Sequence, residues 1–226
     1  MGLLSLGVAP VLTALFYIYA RDKYEKEPAR LLVVGTIIGI AVTYPIIHAE
    51  TFLTGFMPVT GIVGEAFYSG VMVAALTETA FKFTVLYLLT WNNRNLNEPF
   101  DGIVYSVFIS LGFAGLENVL YVYHPELGGV GTALIRAALS VPAHALFAVT
   151  TGYYFAMAKF EPYHRGRFLF KAFAVTWLLH GAYDFLLMAQ MPVLMVLFVP
   201  LMAYMWHRGI WQLKVHSEAS PFKNNA

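Results

Sequence analysis

Seven stretches of mostly apolar residues decide what this chain can fold into. They fall at 3–20, 30–48, 62–90, 101–122, 131–159, 168–189 and 192–211. A helix needs about 20 such residues to cross a ~30 Å hydrocarbon core. The runs are continuous rather than alternating, so they are read as helices and not as barrel strands. The expected fold is all-α, a polytopic transmembrane helix bundle of about seven spans. The chain has 226 residues, of which 59% are hydrophobic and 12% charged, whereas soluble domains carry roughly a quarter charged residues. The third and fifth runs exceed one bilayer thickness and must tilt, kink or project, and Pro142 marks a kink in the fifth. Dividing the third would add an eighth span, but it lacks a turn signal. No Lys or Arg precedes the first run, so it reads as a retained helix rather than a signal peptide. Residues 1–213 are assigned to the membrane domain, and 214–226 to a polar, mobile, cytoplasmic tail.

Basic residues set the expected orientation. Twelve of the fourteen Lys and Arg lie on alternate connections: Arg21 to Arg30, Arg94, Lys159 to Lys171, and Arg208 to Lys223. The connections at 49–61, 123–130 and 190–191 hold none. The positive-inside rule then places the N-terminus outside and the C-terminus in the cytoplasm. Net charge is +1 and no basic cluster is present, so no nucleic-acid partner is expected. The absence of Cys excludes a thiol nucleophile and thiolate metal sites.

Ionisable residues inside the runs carry the functional signal. A charge at a span's centre costs about 2.5–3.5 kcal/mol on insertion scales. Counting about 1.5 Å per helical residue from the basic ends, Lys82 lies about 12 Å deep, Glu78 and His180 about 18 Å, and Glu117, His144 and Asp184 about 22–24 Å. Four helices therefore place acids and imidazoles in one layer. Glu78 and Lys82 share a helix face at i,i+4, as do His180 and Asp184. Thr79 adds a hydroxyl beside Glu78, Phe113 shares a face with Glu117, and Asn118 reads first as helix-packing glue. Arg136 is expected at the outer interface or paired with Glu126, and Glu65, His48 and Glu50 at solvated interfaces. Four further histidines, His216 among them, fall in loops or the tail and carry no signal. The central set suits general-base activation of water and equally a proton relay for transport; spacing alone leaves both open. No cofactor is expected. Two His and two carboxylates could bind a divalent metal such as zinc, but no third ligand stands at matching spacing.

The order of motifs resembles the PrsW family, bacterial intramembrane proteases related to the CAAX-protease and bacteriocin-immunity superfamily. The resemblance rests on RDKYEKEP (21–28), ETAFK (78–82), DGIVYSVFISLGFAGLEN (101–118), RAALSVPAHAL (136–146) and LLHGAYDF (178–185), and covers nearly the whole chain. It implies a glutamic-type membrane protease. The family's paired glutamates fall on Glu78 and Thr79, so the second is replaced here, which keeps a catalytically impaired, substrate-binding relative in view. Its Lys falls on Lys82, and its later motifs on Phe113 to Glu117, on His144, and on His180 with Asp184. The resulting reading makes Glu78 the base and His180, oriented by Asp184, the oxyanion or leaving-group donor. Glu117 and His144 hold the water or complete the proton path, and Lys82 compensates both glutamates. The resemblance also implies a single-span membrane substrate, an anti-sigma factor given its first cut on the extracytoplasmic side. The implied location is the bacterial cell membrane.

Overall fold

A computed structural model describes residues 2–223. Its helices are α1 (Leu3–Arg21), α2 (Ala29–Thr54), α3 (Ile62–Phe67), α4 (Leu76–Thr90), α5 (Pro99–Val122), α6 (Val130–Ala138), α7 (Ser140–Phe160), α8 (Arg165–Ala189) and α9 (Pro192–Glu218). A π-helical segment, Tyr68–Ala75, joins α3 to α4 without a turn, so the third run is one crossing and not two. Seven helical stretches are long and apolar enough to span a membrane.

Helix α5 is the hub. It starts where Pro99 takes the first helical position and Asp101 Oδ2 accepts the amides of Asn97 and Glu98 at 2.8 and 2.7 Å. That satisfies the N-cap amide the helix leaves open, together with the amide before it. Small residues let its neighbours come close. A side chain at Gly39 of α2 would strike the Ile109 carbonyl, and one at Gly152 of α7 would strike the Gly102 carbonyl. The core around α5 includes Ile103, Val104, Tyr105, Ile109, Leu111 and Phe155. Large apolar residues elsewhere point outward, Leu88, Val193 and Val196 among them, as a lipid-facing surface requires. The turn from α8 to α9 is tight: Gln190 takes a left-handed conformation (φ 49°) and Pro192 opens α9.

Two expectations shift. The fifth run breaks at Leu139 (φ −117°, ψ −58°), one turn before Pro142. Pro142 lacks the N–H that would bond to the Ala138 carbonyl, so the helix is freed ahead of the proline and not at it. The last helix runs to Glu218 rather than ending near 211. The segment expected as a mobile tail is helical to Glu218, and several of its side chains are tied to the bundle. Gln212 accepts from Thr150 Oγ1 (3.2 Å), His216 Nδ1 lies 3.0 Å from the Pro99 carbonyl, and the Ser220 hydroxyl donates to Glu98. Residues 224–226 of that tail lie outside the described residues.

Candidate active site

The π segment sets the register of Glu78, which sits in the first turn of α4. Trp177 Nε1 donates to the Val71 carbonyl at 2.8 Å, and Gly70 lies against the α8 backbone at Asp184 and Phe185. The segment is thereby fixed to the helix that carries His180 and Asp184. π-Helical turns recur at functional sites because they re-aim the residues that follow.

The four helices bring the expected residues together. Glu78 Oε2 is 2.8 Å from Lys82 Nζ, 3.8 Å from His180 Nε2 and 4.0 Å from His144 Nδ1. His180 Nε2 is also 3.2 Å from Asp184 Oδ2, the nearer of the two carboxylates that face it. His144 Nε2 is 3.1 Å from Glu117 Oε2. Phe147 stacks on His180 (4.5 Å between ring centres), and Phe113 packs edge-on to His144 (5.8 Å). Phe113 also lies under the Lys82 ammonium at 4.4 Å. The group borders a cavity of about 420 Å³ that extends past Tyr121, Arg136 and Asp184 to Leu127, in the connection between α5 and α6.

The hydrogen bond to Glu117 decides what His144 offers. With Nε2–H donated to Glu117, Nδ1 carries a lone pair. Nδ1 is buried and has no hydrogen-bond partner. A lone pair and a carboxylate oxygen thus face each other across 4.0 Å. Two acceptors at that separation call for a donor or a cation between them. The donor set also fits a metal: one atom each from Glu78, His144 and His180 lies within 4.8 Å of the others. Two imidazoles and a carboxylate form a zinc-type ligand set. His180 would release Asp184 to join it.

Three side chains differ from their sequence-based assignments. Arg136 neither reaches for the interface nor pairs with Glu126. It donates to Glu117 Oε2 (2.8 Å) and Asn118 Oδ1 (2.7 Å), and lies over the Tyr121 ring at 4.1 Å. The break at Leu139 leaves α6 a separate short helix beside α5, which permits this. An Arg in an apolar run with no acid within four positions was the available signal for a distant partner. Lys82 accordingly neutralises Glu78, while Arg136 neutralises Glu117. Asn118 does hold helices, donating to the Gly7 carbonyl of α1 at 2.6 Å, but it also anchors Arg136. Glu50 lines the cavity and accepts from Thr77 Oγ1 (3.2 Å). Helix α2 runs six residues beyond its expected end, which carries Glu50 inward. Thr79 is buried with an unpartnered hydroxyl, beside a separate void of about 20 Å³ that Lys82 and His180 also line.

Membrane-length helices closing on a buried carboxylate–imidazole centre are the makings of an intramembrane hydrolase. A family model described as PrsW family intramembrane metalloprotease matches residues 27–205. The chain belongs to the PrsW family of intramembrane proteases. It is 42% identical to Protease PrsW of Geobacillus kaustophilus over 84% of this chain and 81% of that protein. It is 33% identical to Protease PrsW of Clostridioides difficile, over 97% and 93% of the two chains. Protease PrsW of Bacillus subtilis is 32% identical, with 94% of each chain covered. No solved structure matches the chain.

Proposed function

We propose that the chain cleaves a peptide bond of a single-span membrane protein with a water held between Glu78 and His144. The observation that carries this reading is the acceptor pair Glu78 Oε2 and His144 Nδ1, 4.0 Å apart and otherwise unbridged. A water there can donate to both. Glu78 takes one proton as the water oxygen bonds to the scissile carbonyl carbon. His180 Nε2–H, which rests on Asp184 at 3.2 Å, turns from that carboxylate to donate to the oxygen that gains charge. As the C–N bond breaks, the proton taken by Glu78 passes to the leaving amine. Arg136 and Glu117 fix the His144 tautomer, and Lys82 pairs with Glu78 at 2.8 Å.

Glu78, His144 and His180 are also the residues that would hold a divalent metal, which when bound would supply a Lewis acid to acidify that same water. The unpartnered Nδ1 favours this second reading as much as the first, and the description of the family model supports it. Exhaustive chelation of the purified protein with elemental analysis separates the two. Retained cleavage without metal supports the glutamate-only route. Loss of cleavage, restored by zinc, supports the metal.

The substrate side rests on the resemblance and on charge. The cavity reaches the end of the bundle whose connections lack Lys and Arg, the extracytoplasmic end by the positive-inside rule. An anti-sigma factor cut first on that side, in the bacterial cell membrane, fits this placement. Co-expression with such a substrate, followed by mapping of the new terminus, tests it. A cut on the outer side of the substrate's span is expected, and a cut on the cytoplasmic side contradicts the assignment.

A further inference from the structure

At the far end of α5 from the cavity, about 24 Å along the helix from Glu117, a second set of acids converges. Asp22, Glu25 and Glu27 come from the connection between α1 and α2, and Glu98 and Asp101 from the start of α5. Asp22 and Asp101 are 0% exposed, Glu98 1% and Glu27 2%. One carboxylate oxygen from each of Glu25, Glu27 and Asp101 lies within 4.8 Å of the other two.

Some of these oxygens are satisfied. Asp101 Oδ2 takes two amides, Glu27 Oε2 takes the Tyr105 hydroxyl, and Asp22 Oδ2 takes the Glu27 amide at 3.3 Å. Others are not. Asp22 Oδ1, Glu25 Oε2, Glu27 Oε1 and Asp101 Oδ1 are buried and have no hydrogen-bond partner. Among the described residues, none of the five acids has an ion-pair partner within 4.0 Å. Lys26, beside them in sequence, instead donates to the Tyr19 carbonyl and lies over the Tyr19 ring. Buried carboxylates with neither donors nor cations are strongly disfavoured.

We propose that Glu25, Glu27 and Asp101 bind a hard divalent cation of the calcium or magnesium class, which fastens the α1–α2 connection to the start of α5. All donors are oxygen and most are anionic, the set such ions take. A shared proton would join only two of the three converging oxygens and leave the rest unpaired. The inference is independent of how the catalytic centre works.

The test uses the full chain purified in detergent, stripped of ions and carrying Glu78→Gln, so that ions at the other centre contribute little. Calcium or magnesium alone is titrated to about 1 mM, the weak end of protein calcium sites, with the thermal midpoint and calorimetric heat recorded. One of the two ions is expected to give a saturable heat and raise the midpoint by about 5 °C. Glu27→Gln and Glu25→Gln should each abolish both signals. Glu25 is the less buried, so its variant keeps the test usable if Glu27→Gln does not fold. No response to either ion, or a response undiminished in Glu25→Gln, overturns the proposal. So does a cluster held by protons alone. The sign of that outcome is a thermal midpoint that falls as pH rises and does not respond to either ion.

Discussion

Arg136 shows how much one side chain can decide. Its guanidinium spans Glu117 and Asn118, so it fixes the carboxylate that in turn fixes His144. Replacing it with Met leaves a largely buried carboxylate with one imidazole partner. Arg136→Met is expected to cost about 2 kcal/mol of stability, in the range for a hydrogen bond to a charged group, and to slow cleavage at least about tenfold. Arg136→Lys should recover only part of this, because an ammonium cannot span both acceptors. Thermal melting and single-turnover cleavage check both variants. Unchanged cleavage by Arg136→Met would show that the guanidinium does not position Glu117 and His144 for the reaction. Thr79 gives the opposite expectation. Its hydroxyl makes no hydrogen bond and borders the small void rather than the main cavity. Thr79→Ala should therefore keep cleavage within about threefold, judged against typical effects of side chains remote from special contacts. A loss beyond tenfold would place Thr79 in the machinery and make the family's second glutamate position a functional one here. At this scale the sequence was readable where partners are local. Glu78 with Lys82 and His180 with Asp184 follow from i,i+4 spacing. Arg136 with Glu117 and Glu50 with Thr77 join separate helices, and nothing short of the packing specifies them.

At the scale of elements, two irregularities shape the site. The π segment turns α4 so that Glu78 faces α7 and α8, and the break at Leu139 frees α6 to carry Arg136 over the end of α5. Gly70 is where the π segment meets α8. A Cβ there would lie 2.9 Å from the Phe185 nitrogen and 3.1 Å from Asp184, too close without a shift of backbone. Gly70→Ala is expected to destabilise by about 1–3 kcal/mol, as overpacking does. It should lower cleavage more than the stability loss explains, by separating Glu78 from His180. Melting and cleavage of the same preparation check this, and wild-type activity would show that the contact between the segment and α8 does not set the site. Neither irregularity could be read in advance. The residues at 68–75 are ordinary helix formers for a membrane, and Pro142 announces a disturbance without fixing which turn absorbs it.

At the scale of the molecule, the hydrophobic runs were informative because each is long enough to demand a crossing. All seven expected spans appear, with ends shifted by a few residues in most cases and by more at α2 and α9. Those two extensions are held by polar contacts rather than hydrophobicity. Glu50 meets Thr77, and Gln212 and His216 meet α7 and the start of α5, which a hydropathy pattern does not register. The layered placement of acids and imidazoles was legible for the same geometric reason as the spans, since rise per residue converts position into depth. That the four helices adjoin was not. The two titratable clusters sit at opposite ends of α5, one beside a cavity and one largely buried, so the hub helix links a candidate chemical centre to a candidate ion-held fastening.

The most direct measurement of the central claim is peptide-bond cleavage by purified protein in proteoliposomes, with the new amine terminus detected by mass spectrometry. Wild type is compared with Glu78→Gln and His180→Ala, each first shown by melting to be folded. The account expects wild type to cut a single-span substrate, and both variants to fall by at least about a hundredfold, the low end for loss of a positioned acid or base. Cleavage by folded Glu78→Gln at the wild-type rate would contradict it.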